Sequence, residues 1–246
     1  MRVSIYFILL ITIYIVKIKS SKFDDFIQGV EIKNSLLSQK QCKEIIFKSE
    51  EIGFAQEFDS IEKGLINDEE NQTSQDIYVY DKGKIVSSSL FKIIFPIIPK
   101  FFHFVFKHYG IKILTKPSNN IEDVRLDWIF LRRYSSFENS TRKQLLPHQD
   151  SSQISINIPL NAQHEYGDGG FFFMRVPAEG DNYDIDPDLP DPFMQTYTWL
   201  NNIQRQNTSL LWFPDALTGR GFLYNRTLWH GVAPVTSGIR YSMSVF

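Results

Sequence analysis

Two stretches of strict alternation constrain this chain more than any other feature. From Gln153 to Leu160, Ile154, Ile156 and Ile158 fall on one side, and Ser155 and Asn157 on the other. From Ile239 to Phe246, Tyr241, Met243 and Val245 share one side, and Arg240, Ser242 and Ser244 the other. Side chains alternate across a strand, so both stretches predict half-apolar β-strands. In an ordinary sandwich the polar faces would meet water. In a jelly roll with a site in its mouth they face a polar interior, and the apolar faces pack against helices outside. The alternation alone leaves both arrangements open.

The flanking residues bear on that choice. Leu145-Leu-Pro-His148-Gln-Asp150 precedes the first stretch, and Trp229-His230 precedes the second. Two positions apart on a strand, His148 and Asp150 point to the same face. With His230 they make two imidazoles and one carboxylate. That set leaves coordination positions open and suits Fe(II) in non-haem oxygenases. Zinc hydrolases use the same donor types, but this spacing does not match the common zinc patterns. Arg240 lies ten residues past His230. Its planar fork can bind both oxygens of a carboxylate at once.

In this order, the residues resemble those of the 2-oxoglutarate/Fe(II) dioxygenases. The stretch His148-Gln-Asp-Ser-Ser-Gln-Ile-Ser-Ile-Asn-Ile-Pro-Leu-Asn161, followed by Gly169-Gly170, resembles the iron domain of procollagen lysyl hydroxylases. His230-Gly-Val-Ala-Pro-Val-Thr-Ser-Gly-Ile-Arg240 is similar to both lysyl and prolyl 4-hydroxylase-type domains. The resemblance covers about half the chain, from Leu126 to Phe246. It implies an α+β, mainly β fold: a double-stranded β-helix (jelly roll) flanked by N-terminal helices. Residues 22–120 would then be a helical support region and 121–246 the jelly-roll core.

The resemblance also implies a chemistry. Iron would sit on His148, Asp150 and His230. The co-substrate 2-oxoglutarate would meet Arg240, with Ser242 adding a hydroxyl. Tyr134 matches a position beside the co-substrate, and Asn157 one that faces the pocket. A lysine or proline side chain of a protein or peptide would be hydroxylated while 2-oxoglutarate decarboxylates to succinate, with ascorbate as the reductant. Arginine rather than lysine at position 240 leans toward the lysyl hydroxylase-like enzymes. The rival is a non-catalytic jelly-roll binding module, from which the intact polar set is the discriminator, because a decayed enzyme usually loses a member.

Other features bound the setting. The formal net charge is −2, which argues against a nucleic-acid partner. Met1 to Ser21 reads as a signal peptide: Arg2 opens it, and Val3 to Val16 is nearly all apolar, shorter than the roughly 20 residues of a comfortable span. An uncleaved anchor is the alternative, since Lys17, Lys19 and Lys22 follow without a small-residue cleavage site. Either places the rest in the secretory pathway, in the endoplasmic reticulum lumen or secreted. Glycosylation sequons then matter at Asn71, Asn139 and Asn207, while Asn225 falls in a predicted strand near His230. The only cysteine, Cys42, permits no internal disulfide and reads as a buried, inert thiol.

In the N-terminal half, Ser38-Gln-Lys-Gln41 is a capping-box pattern. Cys42, Ile45, Ile46 and Ile52 recur at helical spacing and Gly53 ends the run, which predicts a helix from Gln39 to Ile52. Glu57 to Gln75 reads as loop and Asp76 to Tyr80 as a short strand. Ser87 to Ser89 can cap a helical run to Tyr109, with Pro96 and Pro99 breaking it. The acidic run Pro177 to Pro192 lacks the glycine and terminal glutamate of a calcium loop, and reads as solvated chain able to attract a basic substrate.

Overall fold

A computed structural model of the chain describes residues 29–58, 73–109, 125–137, 143–174 and 211–246. The leader 1–21, the acidic run 177–192 and the sequons at Asn71, Asn139 and Asn207 lie outside the described residues.

The first helix, α1 (Gln39–Ile52), forms as its sequence dictates. The Ser38 hydroxyl accepts from the Gln41 N–H at 3.3 Å, and the Gln41 side-chain oxygen accepts from the Ser38 N–H at 3.0 Å. Each partner satisfies a backbone donor that a bare helix end would leave open. Cys42, Ile45 and Ser49 are its buried residues. The expected apolar stripe is therefore corrected at its end. Ile52 is exposed, and Ser49 takes the inward position, its hydroxyl donating to the Ile46 carbonyl at 2.7 Å.

The next helical run breaks at its prolines. Helix α2 (Ser88–Ile94) passes through a 3₁₀ turn (Phe95–Ile97) into α3 (Ile98–Tyr109). Pro96 lies in the turn and Pro99 in the first turn of α3, where a missing N–H costs no helical bond. By length and composition alone, Ser88–Tyr109 is apolar enough to cross a membrane. Here Leu90, Ile94, Ile97, Phe101 and Phe104 bury that surface against the sheet. Phe95 is the exception, exposed at 61%.

Among the described residues a nine-stranded, wholly antiparallel sheet faces a four-stranded one. The main path of the large sheet runs β1 (Val30–Lys33), β11 (Gly221–Asn225), β7 (Ile154–Pro159), β13 (Val235–Val245), β5 (Trp128–Ser135), β3 (Thr73–Asp81) and β2 (Ala55–Phe58). Two short strands hang from this path: β4 (Lys84–Ile85) pairs with β3 and β8 (Tyr166–Asp168) with β13. The small sheet orders β10 (Leu211–Trp212), β9 (Phe171–Met174), β12 (Trp229–Val232) and β6 (Leu145–His148). This is the mainly β jelly roll with N-terminal helices that the resemblance implies.

The region 22–120 is not purely helical. It contributes β1, β2, β3 and β4 to the large sheet. Strand β3 reaches from Thr73 to Asp81, so both ends of the expected loop at 57–75 are strand. Propensity alone could not find them, since Ala55-Gln-Glu-Phe58 and Thr73-Ser-Gln-Asp76 are weak strand formers held by pairing.

The alternation resolves as an inside-out sheet. Ile156, Ile158, Met243 and Val245 join Ile129, Leu131 and Leu223 in a core under the three helices. A second core between the sheets holds Tyr134, Phe171, Phe173, Phe222, Tyr224 and Val232. The polar residues of β7 and β13 share that inner side: Ser155, Asn157, Arg240 and Ser242 are all buried.

Candidate metal centre

His230 lies on β12, directly opposite His148 on β6 and Phe173 on β9. Its register with β6 shifts between His230 and Val232, a bulge that re-aims side chains. The two imidazole centroids are 4.3 Å apart. Gly231 is dictated here by space: a Cβ would stand 2.6 Å from the Leu145 carbonyl oxygen and 2.7 Å from the Phe172 ring. Asp150 reaches the pair from beyond the end of β6, so the expectation that it shares a strand face with His148 is corrected: the strand stops at His148. Its carboxylate stands 3.5 Å from His148 Nε2 and 3.4 Å from His230 Nε2. One potential ligand atom from each residue lies within 4.8 Å of the others.

These are the donors a divalent metal of intermediate softness prefers, and they leave room for further ligands. The surroundings fix their orientation. His230 Nδ1 lies 3.0 Å from the Leu228 carbonyl; with a metal bound, a proton kept on Nδ1 and donated there would leave Nε2 free to ligate it. The Ser155 hydroxyl donates to Asp150 Oδ2 at 2.6 Å. Burial works against the charge of Asp150, but hydrogen bonds and positive charge from His148 and His230 outweigh it and hold the carboxyl well below the usual carboxylate range. Tyr224 interacts with both Asp150 and Ser155, its ring 4.7 Å from that of His230. Burial first, then the Asp150 charge, push its phenol well above the ordinary value, so the hydroxyl stays a donor.

Arg240 is fully buried on the inner side of β13, opposite Tyr134 on β5. One nitrogen, Nη1, donates to Ser242 Oγ at 3.3 Å. The other two, Nε and Nη2, have no partner. The guanidinium carbon lies 5.1 Å from the centre of the Tyr134 ring. Tyr134 is itself fully enclosed and its hydroxyl meets Arg132. Arg132 forks onto Asp76 through Nε–Oδ1 at 2.7 Å and Nη2–Oδ2 at 2.5 Å. Asn157 donates to Ser244 Oγ at 3.3 Å and keeps a buried, unpartnered oxygen.

Of the residues expected from the sequence, His148, Asp150 and His230 come together, Arg240 faces Tyr134 across β13 and β5, and Ser242 and Asn157 are buried on neighbouring rungs of the same inner side. The sequence reading missed Tyr224, Ser155 as a holder of Asp150, and the Arg132–Asp76 pair. For that pair the sequence offered charges in neighbouring strands but not the choice of Arg132 over Arg133, which the strand register makes. Tyr224 gave no signal, since Gly221-Phe-Leu-Tyr-Asn225 reads as plain core. His103 and His164 are exposed, and His108 pairs with Glu31 at 3.0 Å, so none of these joins the centre.

No protein-family model matches the chain, and no curated protein does. Solved structures do. The chain is similar to an oxidoreductase of the 2OG-Fe(II) oxygenase family from Burkholderia pseudomallei, at 10% identity and TM-score 0.53 over 89% of this chain and 84% of that one. It is similar to a prolyl hydroxylase from Trichoplax adhaerens, solved with a hypoxia inducible factor peptide, at 10% identity and TM-score 0.50 over 88% and 82%. HygX from Streptomyces hygroscopicus, solved with nickel and 2-oxoglutarate, gives 11% identity and TM-score 0.50 over 88% and 81%. At these identities the likeness establishes the fold: that of the 2-oxoglutarate/Fe(II) oxygenases.

Proposed function

We propose that this protein is an Fe(II)- and 2-oxoglutarate-dependent dioxygenase that hydroxylates a lysine or proline side chain of a protein or peptide. The observation that carries the reading is Arg240. A fully buried guanidinium with two unpartnered nitrogens, on the inner side of β13 in a chain that also assembles a two-histidine, one-carboxylate set, lacks the anion it is shaped to hold.

His148, Asp150 and His230 would hold ferrous iron, which when bound supplies the activation of dioxygen that couples oxidative decarboxylation of 2-oxoglutarate, to succinate and CO₂, with C–H hydroxylation. The protein's part is positional. Arg240 and Ser242 bind the far carboxylate of the co-substrate, and Tyr134 and the buried strands around it keep water off that pair. The Leu228 carbonyl sets the His230 tautomer, and Ser155 and Tyr224 hold Asp150 in one rotamer. Asn157 presents its free oxygen to the same interior. The apolar leader supports a place in the secretory route, and the family resemblance supports ascorbate as reductant.

The test is anaerobic addition of Fe(II) and 2-oxoglutarate, followed by the visible metal-to-ligand band. It should form with the wild type and vanish in His148→Ala. Failure of the wild type to form it sinks the proposal. Succinate release with lysine- and proline-bearing peptides then measures turnover.

A further inference from the structure

The inner face of the large sheet changes character along its length. The rungs run Arg240 opposite Tyr134, Ser242 opposite Arg132 and Ser244 opposite Phe130. Tyr78 on β3 also stands opposite Phe130. Two positions further along each strand come Phe246 and Trp128. The polar end thus gives way to four rings in serial contact. Tyr78 and Phe130 are 5.6 Å apart, Phe130 and Phe246 are 5.5 Å apart and nearly parallel, and Trp128 meets Phe246 edge-on at 6.2 Å. With Asp150 and Ser151 these rings line a recess of about 270 Å³.

Three facts set this recess apart from ordinary core. Its rings are wet: Tyr78 is 38% exposed, and Trp128, Phe130 and Phe246 are half-buried. Contiguous exposed aromatics mark places where something docks. Its volume suits one side chain, below the roughly 300–1,000 Å³ of a pocket for a whole ligand. And one wall is Asp150, so a group seated here lies against the metal set.

We infer that this recess receives the side chain to be oxidised, and that its rings select an uncharged group over an ammonium. The inference rests on the proposed function and divides its two target classes. Aromatic faces attract cations, but two of these are already served. Lys82 Nζ lies 4.8 Å from the centre of Trp128, and the Arg132 guanidinium 5.1 Å from that of Phe130. An incoming ammonium would find those two ring faces already occupied by cations. Asp76 is forked onto Arg132 and Asp150 faces the two histidines, while Asp81 accepts from Trp128 Nε1 at 2.7 Å, a bond that holds the ring and leaves the carboxylate charged beside Lys82 in the chain. A saturated ring or alkyl chain loses nothing to those cations and gains the apolar faces.

The experiment titrates the full chain, with Fe(II) and 2-oxoglutarate under anaerobic conditions, with three peptides alike but for one position: proline, norleucine or lysine. Norleucine is lysine without the terminal ammonium, so the pair isolates that group. Binding is read by calorimetry, independently of turnover. The proline and norleucine peptides should bind about tenfold tighter than lysine, the size expected for a poorly screened like-charge contact. Phe130→Leu should weaken those two about tenfold by removing ring area while keeping an apolar strand residue. Lys82→Asn, at an exposed position, should narrow the lysine deficit about threefold, as removal of one partly screened charge should. Lysine binding as tightly as norleucine, no effect of either substitution, or no binding of any peptide overturns the inference. If the metal-to-ligand band forms regardless, the proposed function survives that failure. If the band is absent, it is the function that fails.

Discussion

Replacing Arg240 with methionine should stabilise the ligand-free protein while abolishing its response to the co-substrate. Arg240 is 0% exposed, with one nitrogen bonded to Ser242 at 3.3 Å and two without partners. No carboxylate pairs with it among the described residues, and its charge is met only by the Tyr134 ring at 5.1 Å. Exchanging such a buried charge for an apolar side chain of similar volume returns about 1–4 kcal/mol. Taking about 2 kcal/mol, and a shift of roughly 2–4 °C per kcal/mol for a chain of this length, Arg240→Met should melt about 4–8 °C above the wild type. The same change removes the fork for a carboxylate. With Fe(II) present throughout, anaerobic addition of 2-oxoglutarate should therefore raise the melting temperature of the wild type and not that of the variant. Thermal unfolding by circular dichroism, with and without 2-oxoglutarate, reads both effects. A variant that melts below the ligand-free wild type, or that keeps the ligand shift, refutes the argument that Arg240 is held ready for an anion.

Ser155→Ala removes the 2.6 Å donor to Asp150 and should weaken metal binding about 10–100-fold with the fold retained, measured by competitive chelation. Ser38→Ala should cost about 1 kcal/mol in urea unfolding, because both halves of the capping box are formed. The Cys42 thiol is pushed up to about 12 by burial, so it should resist alkylation at pH 8 in the native protein and react once urea unfolds it. The native state holds that proton above the pH at which the unfolded chain releases it. The stabilisation is thus complete below about pH 8.5 and is lost as pH rises toward 12. For Asp150 the sign is opposite: its folded value is depressed, so its contribution is complete above about pH 4 and fades only as pH falls below that.

Local rules were enough for much of this protein. Period-two alternation told which side of β7 and β13 carries Ile156 and Met243 and which carries Asn157 and Arg240, because a strand has only two faces. The Ser38–Gln41 pair marked the start of α1 and the prolines marked the break before α3, both through backbone donors a few residues apart. The ordered His148, Asp150, His230 and Arg240 were legible because so few residue types can bind a metal and a carboxylate. Which face looks inward was a tertiary decision: helices α1 to α3 cover the isoleucine side, turning the polar side toward the small sheet. Pairing decided the rest. Strand β1 joins β11, Asp76 finds Arg132, Tyr224 and Ser155 find Asp150, and Tyr78 meets Phe130 from residues far apart in the chain. Such contacts leave no periodic trace, since their energy depends on register between strands and on burial that no single segment encodes.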